Sequence, residues 1–185
     1  LSSFGVSTVD RQAAPDTELV IAGITNAAGD KQGPSDAGVG DPYPVTVRAF
    51  APGSVATTAS VRALDGKGHA TDLGVIEIAP DAVGELTVAT WPRGAAAIEV
   101  SSDTPVIASA LGSAERGEDH DYEWFTPSPA ISAEEVVAVP VVPNGKVFVV
   151  HPGEGTVDVT VTDAKGKAKT TELSPGSVRA VTVPN

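Results

Sequence analysis

Histidine side chains are the first candidates for catalysis in this chain. There are three, His69, His120 and His151, and each lies in a segment that reads as a turn or a polar loop. A serine hydrolase needs an imidazole beside a nucleophilic serine, and the sequence contains no G-x-S-x-G motif. Histidines in turns are more often solvated side chains than general bases. We therefore expect that the protein is not an enzyme.

The most charged segment, residues 115–123, is the candidate metal site. Glu118, Asp119 and Asp121 could supply the several oxygen ligands that a hard divalent cation prefers. The segment lacks the D-x-D-x-D-G spacing of an EF-hand, and a solvated acidic loop is the favoured alternative. We accordingly expect no cofactor, with a cation at this loop as the open alternative.

Aromatic residues are few, at 4% of the chain, and four of them are candidate binding residues. Exposed together, they could stack on sugar rings, as aromatic platforms do in carbohydrate-binding sandwiches. The alternative interpretation is that the adjacent pair Trp124-Phe125 plugs a junction between domains. The candidates are Trp91, Tyr122, Trp124 and Phe125.

Composition excludes several classes of partner. The net charge is −12 and the pI is about 4.5, whereas nucleic-acid binding depends on Lys and Arg that neutralise phosphates. An anionic membrane surface would also repel the chain, and no apolar run reaches the ~18 residues that span a bilayer. Because methionine is absent, Leu1 is not a translated start. We expect that a signal peptide, an anchor or another domain preceded it.

A β-hairpin sequence that occurs twice dominates the organisation of the chain. The segment from Ala59 to Val88 is matched by the segment from Val157 to Val183, with Asp65-Gly66-Lys67-Gly68 facing Asp163-Ala164-Lys165-Gly166. Such an internal repeat indicates architecture before any single residue is interpreted. Glycines in these four-residue turns supply the positive φ angle that a tight hairpin requires.

Alternating Val, Ile and Ala residues predict an all-β protein of two immunoglobulin-like or related β-sandwich units. The first unit covers 1–131, with a short buried N-terminal strand and a long loop at 26–44, and the second, shorter unit covers 132–185. In residues 45–50, Val45, Val47 and Ala49 share one face. Other strands are expected at 18–25, 61–63, 73–78, 85–89, 95–100, 104–111, 136–142 and 147–150.

The second unit lacks counterparts of the strands at 95–111, and a sandwich without them would have open edges. Either the native chain continues beyond Asn185, or the N-terminal strand completes the second unit. The second alternative predicts contacts between residues 18–25 and residues 136–183. Nearby, Ser132 and Glu135 have the spacing of a capping box for a single helical turn.

Four strings together resemble an actinobacterial extracytoplasmic domain family of unknown function: Gly94 to Leu111, Asp121 to Ile131, Val147 to Lys167 and Glu172 to Val183. They carry the motifs V-x-S-D-x-P-V-x-A, W-F-x-P-x-P and an N-P-G-like triplet, in which His151 stands where the family commonly has Asn. The resemblance implies repeated β-sandwich modules in a secreted or membrane-tethered envelope protein, and it brings no known activity.

These observations favour a non-catalytic extracytoplasmic protein with a structural or protein-binding role at the cell envelope. Its partner would be an envelope protein or a wall glycan. The alternative function is a carbohydrate-binding module for wall polysaccharide, which would need Trp91 or Trp124 exposed in a groove. An enzyme would need a cleft that brings a histidine within hydrogen-bond reach of a carboxylate.

Overall fold

The computed structural model of the chain describes residues 14–24, 26, 44–116, 119–132, 134–138 and 145–182. This part of the chain forms strands, turns and loops, with no helix, which confirms the predicted all-β class. Its strands are β1 Asp16–Ala22, β2 Thr46–Phe50, β3 Thr57–Asp65, β4 Ala70–Ile78, β5 Val83–Thr87, β6 Ala95–Arg116, β7 Asp119–Phe125, β8 Lys146–His151, β9 Val157–Thr162, β10 Ala168–Leu173 and β11 Ser177–Thr182.

Strand β6 is 22 residues long and hydrogen-bonds into both layers of a sandwich. The first half of β6 pairs with β1 and β3, and the β3 ladder ends at Ser102. The second half pairs with β7 and β2, and the β2 ladder begins at Ile107. Pro105, which has no N–H to donate, lies between the β3 and β2 ladders. The sequence predicted two strands here, at 95–100 and 104–111, and the structure joins them.

One layer therefore contains β1, β6, β3 and β4, and the other contains β7, β6, β2 and β5. Side chains that alternate along each strand point into a single core between the layers. Val45, Val47 and Ala49 are buried there, as their spacing predicted. The largest fully buried residues are Val, Ile and Leu, with Ala at many core positions, so the sandwich is thin.

The two layers approach each other closely where β4 turns into β5 at Asp81, whose φ is 50°. A Cβ atom at Gly84 of β5 would lie 2.4 Å from Cγ2 of Ile76 and 2.8 Å from the carbonyl oxygen of Glu77, both on β4. The absence of a side chain at Gly84 thus lets β5 pack directly against β4. This contact gives the sandwich a barrel-like closure on that side.

The two hairpin turns predicted to match have the same hydrogen bonds. Asp65 Oδ1 accepts from the backbone N–H groups of Lys67 at 2.7 Å and His69 at 2.9 Å. Asp163 Oδ1 accepts from those of Lys165 at 2.9 Å and Lys167 at 2.8 Å. Gly68 and Gly166 have φ of 85° and 81°. The local sequence similarity therefore specifies a local geometry, as is usual for Asx turns.

Beyond these turns, the C-terminal strands form two antiparallel pairs, β8 with β11 and β9 with β10. Val178 of β11 packs with Leu64 and Ala97 of the larger sandwich, and Phe148 and Val150 of β8 pack on the same cluster. The cluster thus crosses the predicted boundary at residue 131. That boundary, like the immunoglobulin-like character of the two units, stays a prediction.

Strand β1 belongs to the larger sandwich, because its Leu19 and Ile21 pair with Val100 and Ile98 of β6. It reaches the C-terminal strands at Gly23, where a Cβ atom would lie 3.2 Å from Cδ2 of Phe148. The predicted contact between residues 18–25 and 136–183 is therefore present. The hydrogen bonds of β1 go to the edge of β6, so β1 is a strand of the larger sandwich rather than the strand that completes the second unit.

Two further segments differ from the prediction. Part of the expected acidic loop is strand, since β7 pairs with the end of β6; its aromatic residues are types that favour strands. The expected strand at 136–142 is absent from its described residues 136–138, and Val136 is 94% exposed. There the carboxylate of Glu135 accepts the Ser132 N–H at 3.1 Å, and this local turn competes with extended pairing.

The close contact at Gly84 generates a stability prediction. Gly84→Ala should lower the free energy of unfolding by about 1–3 kcal/mol, because the new methyl group overlaps Ile76 in a packed core. The measurement is the urea midpoint followed by circular dichroism. Gly66→Ala is the matched control, since its Cβ would lie 3.4 Å from the Val178 carbonyl oxygen, an ordinary contact. Equal midpoints for the two variants would contradict the packing described.

The first hairpin turn generates a pH prediction. Partial burial raises the pKa of Asp65, but the hydrogen bonds from His69 and Lys67 outweigh it, so the pKa lies below its ordinary value. The carboxylate therefore stabilises the fold above its unfolded pKa, and this contribution is lost as pH falls through the folded pKa. Asp65→Asn should cost about 1 kcal/mol in free energy of unfolding at neutral pH, because a neutral amide is a weaker acceptor.

That difference between wild type and Asp65→Asn should vanish in acid, where both side chains are neutral. Urea unfolding at neutral pH and well below the ordinary carboxylate pKa measures it. Asp103→Asn, at an exposed site outside the turn, should leave stability unchanged at both pH values. A difference for Asp65→Asn that persists undiminished in acid would show that the carboxylate charge is not what stabilises the turn.

Candidate functional site

The outer side of the layer β5–β2–β6–β7 carries a group of apolar and aromatic side chains, which we call the aromatic face. The strand register places Val83, Phe50 and Ile107 in one row across three strands. Leu111 lies opposite Trp124 in a second row, and Tyr122 lies two residues before Trp124, on the same side of β7. Directly opposed residues on antiparallel strands share a face. The aromatic face thus consists of Phe50, Val83, Ile107, Leu111, Tyr122 and Trp124.

Several of these side chains are open to solvent. Val83 is 62% exposed, Tyr122 51% and Ile107 37%, while Phe50, Leu111 and Trp124 are half-buried. Single exposed apolar residues are ordinary on protein surfaces, whereas contiguous groups usually mark an interaction site. The two apolar rows lie on the same face and are separated by the polar row of Glu85, Arg48 and Ser109.

A charged pair lies in the centre of the aromatic face. Arg48 Nε donates to Glu85 Oε2 at 2.6 Å across the β2–β5 ladder, and the Arg48 guanidinium carbon lies 5.1 Å from the ring centroid of Trp124. Both charged side chains are about half exposed, so the pair contributes at most about 1 kcal/mol. Its main effect is geometric, because the guanidinium covers one side of the Trp124 ring.

The outer side of the other layer also carries an Arg–Glu pair. The Arg62 guanidinium donates to the mostly buried carboxylate of Glu99, and this hydrogen bond raises the pKa of Arg62 above its ordinary value. Next to them, Ser101 Oγ donates to Glu18 Oε1 at 2.7 Å. Val75 is the exposed apolar residue on this side. Both outer faces thus carry an Arg–Glu pair, and they differ in the number of apolar and aromatic side chains around it.

The structure separates the four aromatic candidates into two pairs. Tyr122 and Trp124 lie on the aromatic face, as a binding role requires. Trp91 is only 6% exposed and belongs to the core, where its indole N–H donates to the carbonyl oxygen of Ala95 at 3.2 Å. Phe125 pairs with Ala110 and packs against the same core. Trp91 is therefore not available for stacking on a ligand, because its ring fills space between the layers.

The candidate metal ligands are largely outside the described structure. Glu118 lies outside the described residues, and for Asp119 and Asp121 only the backbone, in β7, is described. Among the described side chains, no three His, Cys, Asp or Glu residues are grouped in a way that could hold a metal ion. The cation site at this hairpin stays a prediction.

The histidines with described side chains contact their own turns. His69 Nδ1 lies 3.0 Å from Asp65 Oδ2 in the first hairpin turn, with most of the ring exposed. His151 Nε2 lies 3.0 Å from the carbonyl oxygen of Gly155. The side chain of His120 is not described. Each of the two described imidazoles thus has a local partner that explains its position.

A shallow groove of about 670 Å³ lies where β3 begins, apart from the aromatic face. Glu77 and Asp103 line it, and the buried hydroxyl of Thr57 has no hydrogen-bond partner. No histidine lines this groove, so it does not supply the imidazole–carboxylate pair that the enzyme alternative needs.

Sequence reasoning missed most of the aromatic face. The alternation of residues 45–50 puts Phe50 on the side opposite Val47 and Ala49, together with Thr46 and Arg48. It does not show that Val83 and Ile107 lie on the same surface. An apolar residue at an otherwise polar position of an alternating strand was the available signal. Its significance depends on which strands lie beside it, and this is decided by register.

The contact between Arg48 and Trp124 generates a prediction. Arg48→Ala should uncover the Trp124 ring and raise the acrylamide quenching of tryptophan fluorescence, while stability falls by less than about 1 kcal/mol. The change reports on Trp124 because the other tryptophan, Trp91, is buried. Arg62→Ala is the control: quenching should not change, but stability should fall further, because the buried Glu99 carboxylate loses its partner. Equal quenching in both variants would contradict the contact.

Comparison with known proteins gives the family of the chain. Among the described residues there is no helix with the length and apolar character to cross a membrane. No curated protein with a similar sequence was found. A crystal structure of Thermotoga maritima 1070 is similar over 62% of this chain and 94% of that chain, at 10% identity and a TM-score of 0.45, which carries no argument about function. A family model for DUF5719 matches residues 1–184, and the chain therefore belongs to DUF5719, a family of unknown function.

Proposed function

We propose that this chain is a non-catalytic β-sandwich module of the cell envelope that binds another protein through its aromatic face. The carrying observation is that Val83, Ile107 and Tyr122 are exposed and Trp124 is half-buried on the same outer face, on either side of the Arg48–Glu85 pair. Leaving such a group in water is unfavourable, and a partner that covers it would recover roughly 25 cal/mol for each Å² of apolar surface.

The chemistry of the face supports a protein partner. Its exposed groups are mostly aliphatic, and aliphatic side chains pack against other proteins but offer sugars neither stacking nor hydrogen bonds. The Arg48–Glu85 pair at its centre is neutral as a unit. We therefore infer a partner surface that is apolar and carries a polar group able to reach this ion pair.

A wall polysaccharide is the second candidate ligand, and one observation favours it. Tyr122 is exposed and stands one step from Trp124 along β7, so two rings lie near each other on a sheet surface. Against this, Arg48 covers one side of Trp124 and Trp91 is in the core. A sugar would therefore have one exposed ring, that of Tyr122, to stack on, and a single ring is a weak binding platform.

The absence of enzyme activity is also part of this proposal. The two histidines with described side chains are engaged within their own turns, and the groove at the start of β3 contains no histidine. The location is supported by the resemblance to extracytoplasmic actinobacterial proteins. In this proposal the protein is secreted, or is anchored through an upstream segment.

The test is site-specific photocrosslinking in cells that naturally encode the protein. A photoreactive phenylalanine analogue at position 122 should form one major adduct with an envelope protein, identified by mass spectrometry. The same analogue at position 75 is the control, because Val75 is similarly exposed but lies on the other layer. It should give no such adduct.

A second variant tests the face rather than the single position. Ile107 lies on the same face and is 37% exposed. Ile107→Glu places a charge there and should abolish the adduct at position 122, while the circular dichroism spectrum stays unchanged. Identical adducts at 122 and 75, or an adduct that survives Ile107→Glu, would contradict a specific protein site. Binding of purified protein to wall polysaccharide that is lost in Tyr122→Ala would instead support the glycan.

A further inference from the structure

The C-terminal strands repeat the pairing of the larger sandwich but have no counterpart of β6. In the larger sandwich β2 pairs with β5, and β3 pairs with β4. In the C-terminal part β8 pairs with β11, and β9 pairs with β10. Strand β6 joins the first set by hydrogen-bonding to both β2 and β3. Among the described residues, no strand does the same for β8 and β9.

The correspondence of these strands rests on sequence and geometry together. The turns after β3 and β9 have the same carboxylate-to-backbone hydrogen bonds. Strands β2 and β8 are each followed closely by a Pro-Gly pair, at 52–53 and 152–153. If β8 corresponds to β2 and β9 to β3, each has an edge at the position that β6 occupies in the larger sandwich.

The inner residues of β9 are more exposed than those of β3, as expected if β9 lacks a neighbouring strand. The turn correspondence matches Ala59 of β3 with Val157 of β9, and the exposed fraction rises from 0% to 37%. The next inward residues of β9, Val159 and Val161, are half-buried, whereas every inner residue of β3 is buried. The apolar side of β9 is therefore only partly covered, although its valines are larger than the alanines of β3.

The distribution of charge distinguishes the edges of this hairpin. Lysine on an edge strand discourages pairing with another strand. Strand β10 carries Lys169 and directly follows Lys167, whereas β9, with the sequence VDVTVT, contains neither Lys nor Pro. The edge of β10 is thus protected against strand addition by Lys, whereas β9 has Asp158 as its only charged residue.

We propose that β8 and β9 form an acceptor for one extended strand that is donated by a different protein and built like β6. The donor would bond to the free edge of β9 with its first half and to that of β8 with its second half. It would alternate small and branched apolar residues and carry a proline where it passes from one edge to the other. Strand addition of this kind gains backbone hydrogen bonds and buries alternate side chains. It does not depend on the aromatic face, which lies on different strands.

The probe for this acceptor is a synthetic peptide with the sequence of residues 95–111, AAAIEVSSDTPVIASAL, added to the whole chain. It should bind saturably in calorimetry and raise the unfolding temperature with peptide concentration. Hydrogen exchange should slow at the amides of 147–150 and 157–161, with no change at the aromatic face. No binding, or binding that leaves those amides unprotected, would overturn the proposal.

Two altered peptides test the role of the alternating face. Ile98 and Val106 point into the core from β6, and Ser101 and Ser109 occupy its outer side. A peptide with Ile98→Lys and Val106→Lys should bind about tenfold more weakly or worse. A peptide with Ser101→Lys and Ser109→Lys gains the same charge and should bind like the original. Equal loss for both would indicate a charge effect and overturn the proposal.

Variants of the chain complete the test. Val159→Lys, on the inner side of β9, should weaken peptide binding about tenfold, and Thr162→Lys, on the outer side, should not. Unchanged exchange in β2 and β3 shows that each variant is folded. Strong protection, in the free monomer, of the β8 and β9 amides that do not bond to β11 or β10 would mean that the chain fills its own acceptor. Protection that appears only with concentration-dependent dimers would identify a second copy as the occupant. Either result overturns donation by a different protein.

Discussion

The hydrogen bonding of β6 into both layers is the constraint on which the rest of this structure depends. Because one continuous strand serves both sheets, their separation and relative direction are fixed along its length. Pro105 lies at the passage from one ladder to the next, where a missing N–H costs nothing. Strands β1, β2, β3 and β7 then find their positions by pairing with β6. The sandwich is thus organised around a strand rather than around a ligand or a disulfide.

Small core residues follow from this arrangement. Where Gly84 lies against Ile76, and where Gly74 faces Leu86, a Cβ atom would be within 3.2 Å of its neighbour or closer, so the layers leave little room for rings. Trp91 and Phe125 are accommodated in the core, while Tyr122 and Trp124 lie on the outer side. The interior is therefore mainly aliphatic, and Trp91 and Phe125 occupy the positions where the packing admits a ring.

The C-terminal strands show what the same pairing scheme does without a central strand. Their two hairpin-like pairs pack through Val178 and Phe148 onto Leu64 and Ala97, so part of their stabilisation comes from the larger sandwich. Two-stranded pairs are marginal alone. A partly covered apolar side beside an edge without Lys or Pro is the form expected of a unit that gains stability on association. For this family of unknown function, these features provide a physical starting point in the search for a binding partner.

Local interactions were predictable from the sequence by itself. The turns at Asp65 and Asp163, the two faces of β2 and the all-β class follow from residue types and period-two alternation, because they involve neighbours in the chain. Only the tertiary structure decided that β6 is continuous, that Trp91 is internal, and that Phe50, Val83, Ile107 and Leu111 share a surface with Trp124. Those outcomes depend on register between distant strands, and register is set by long-range hydrogen bonds and packing that no local pattern contains.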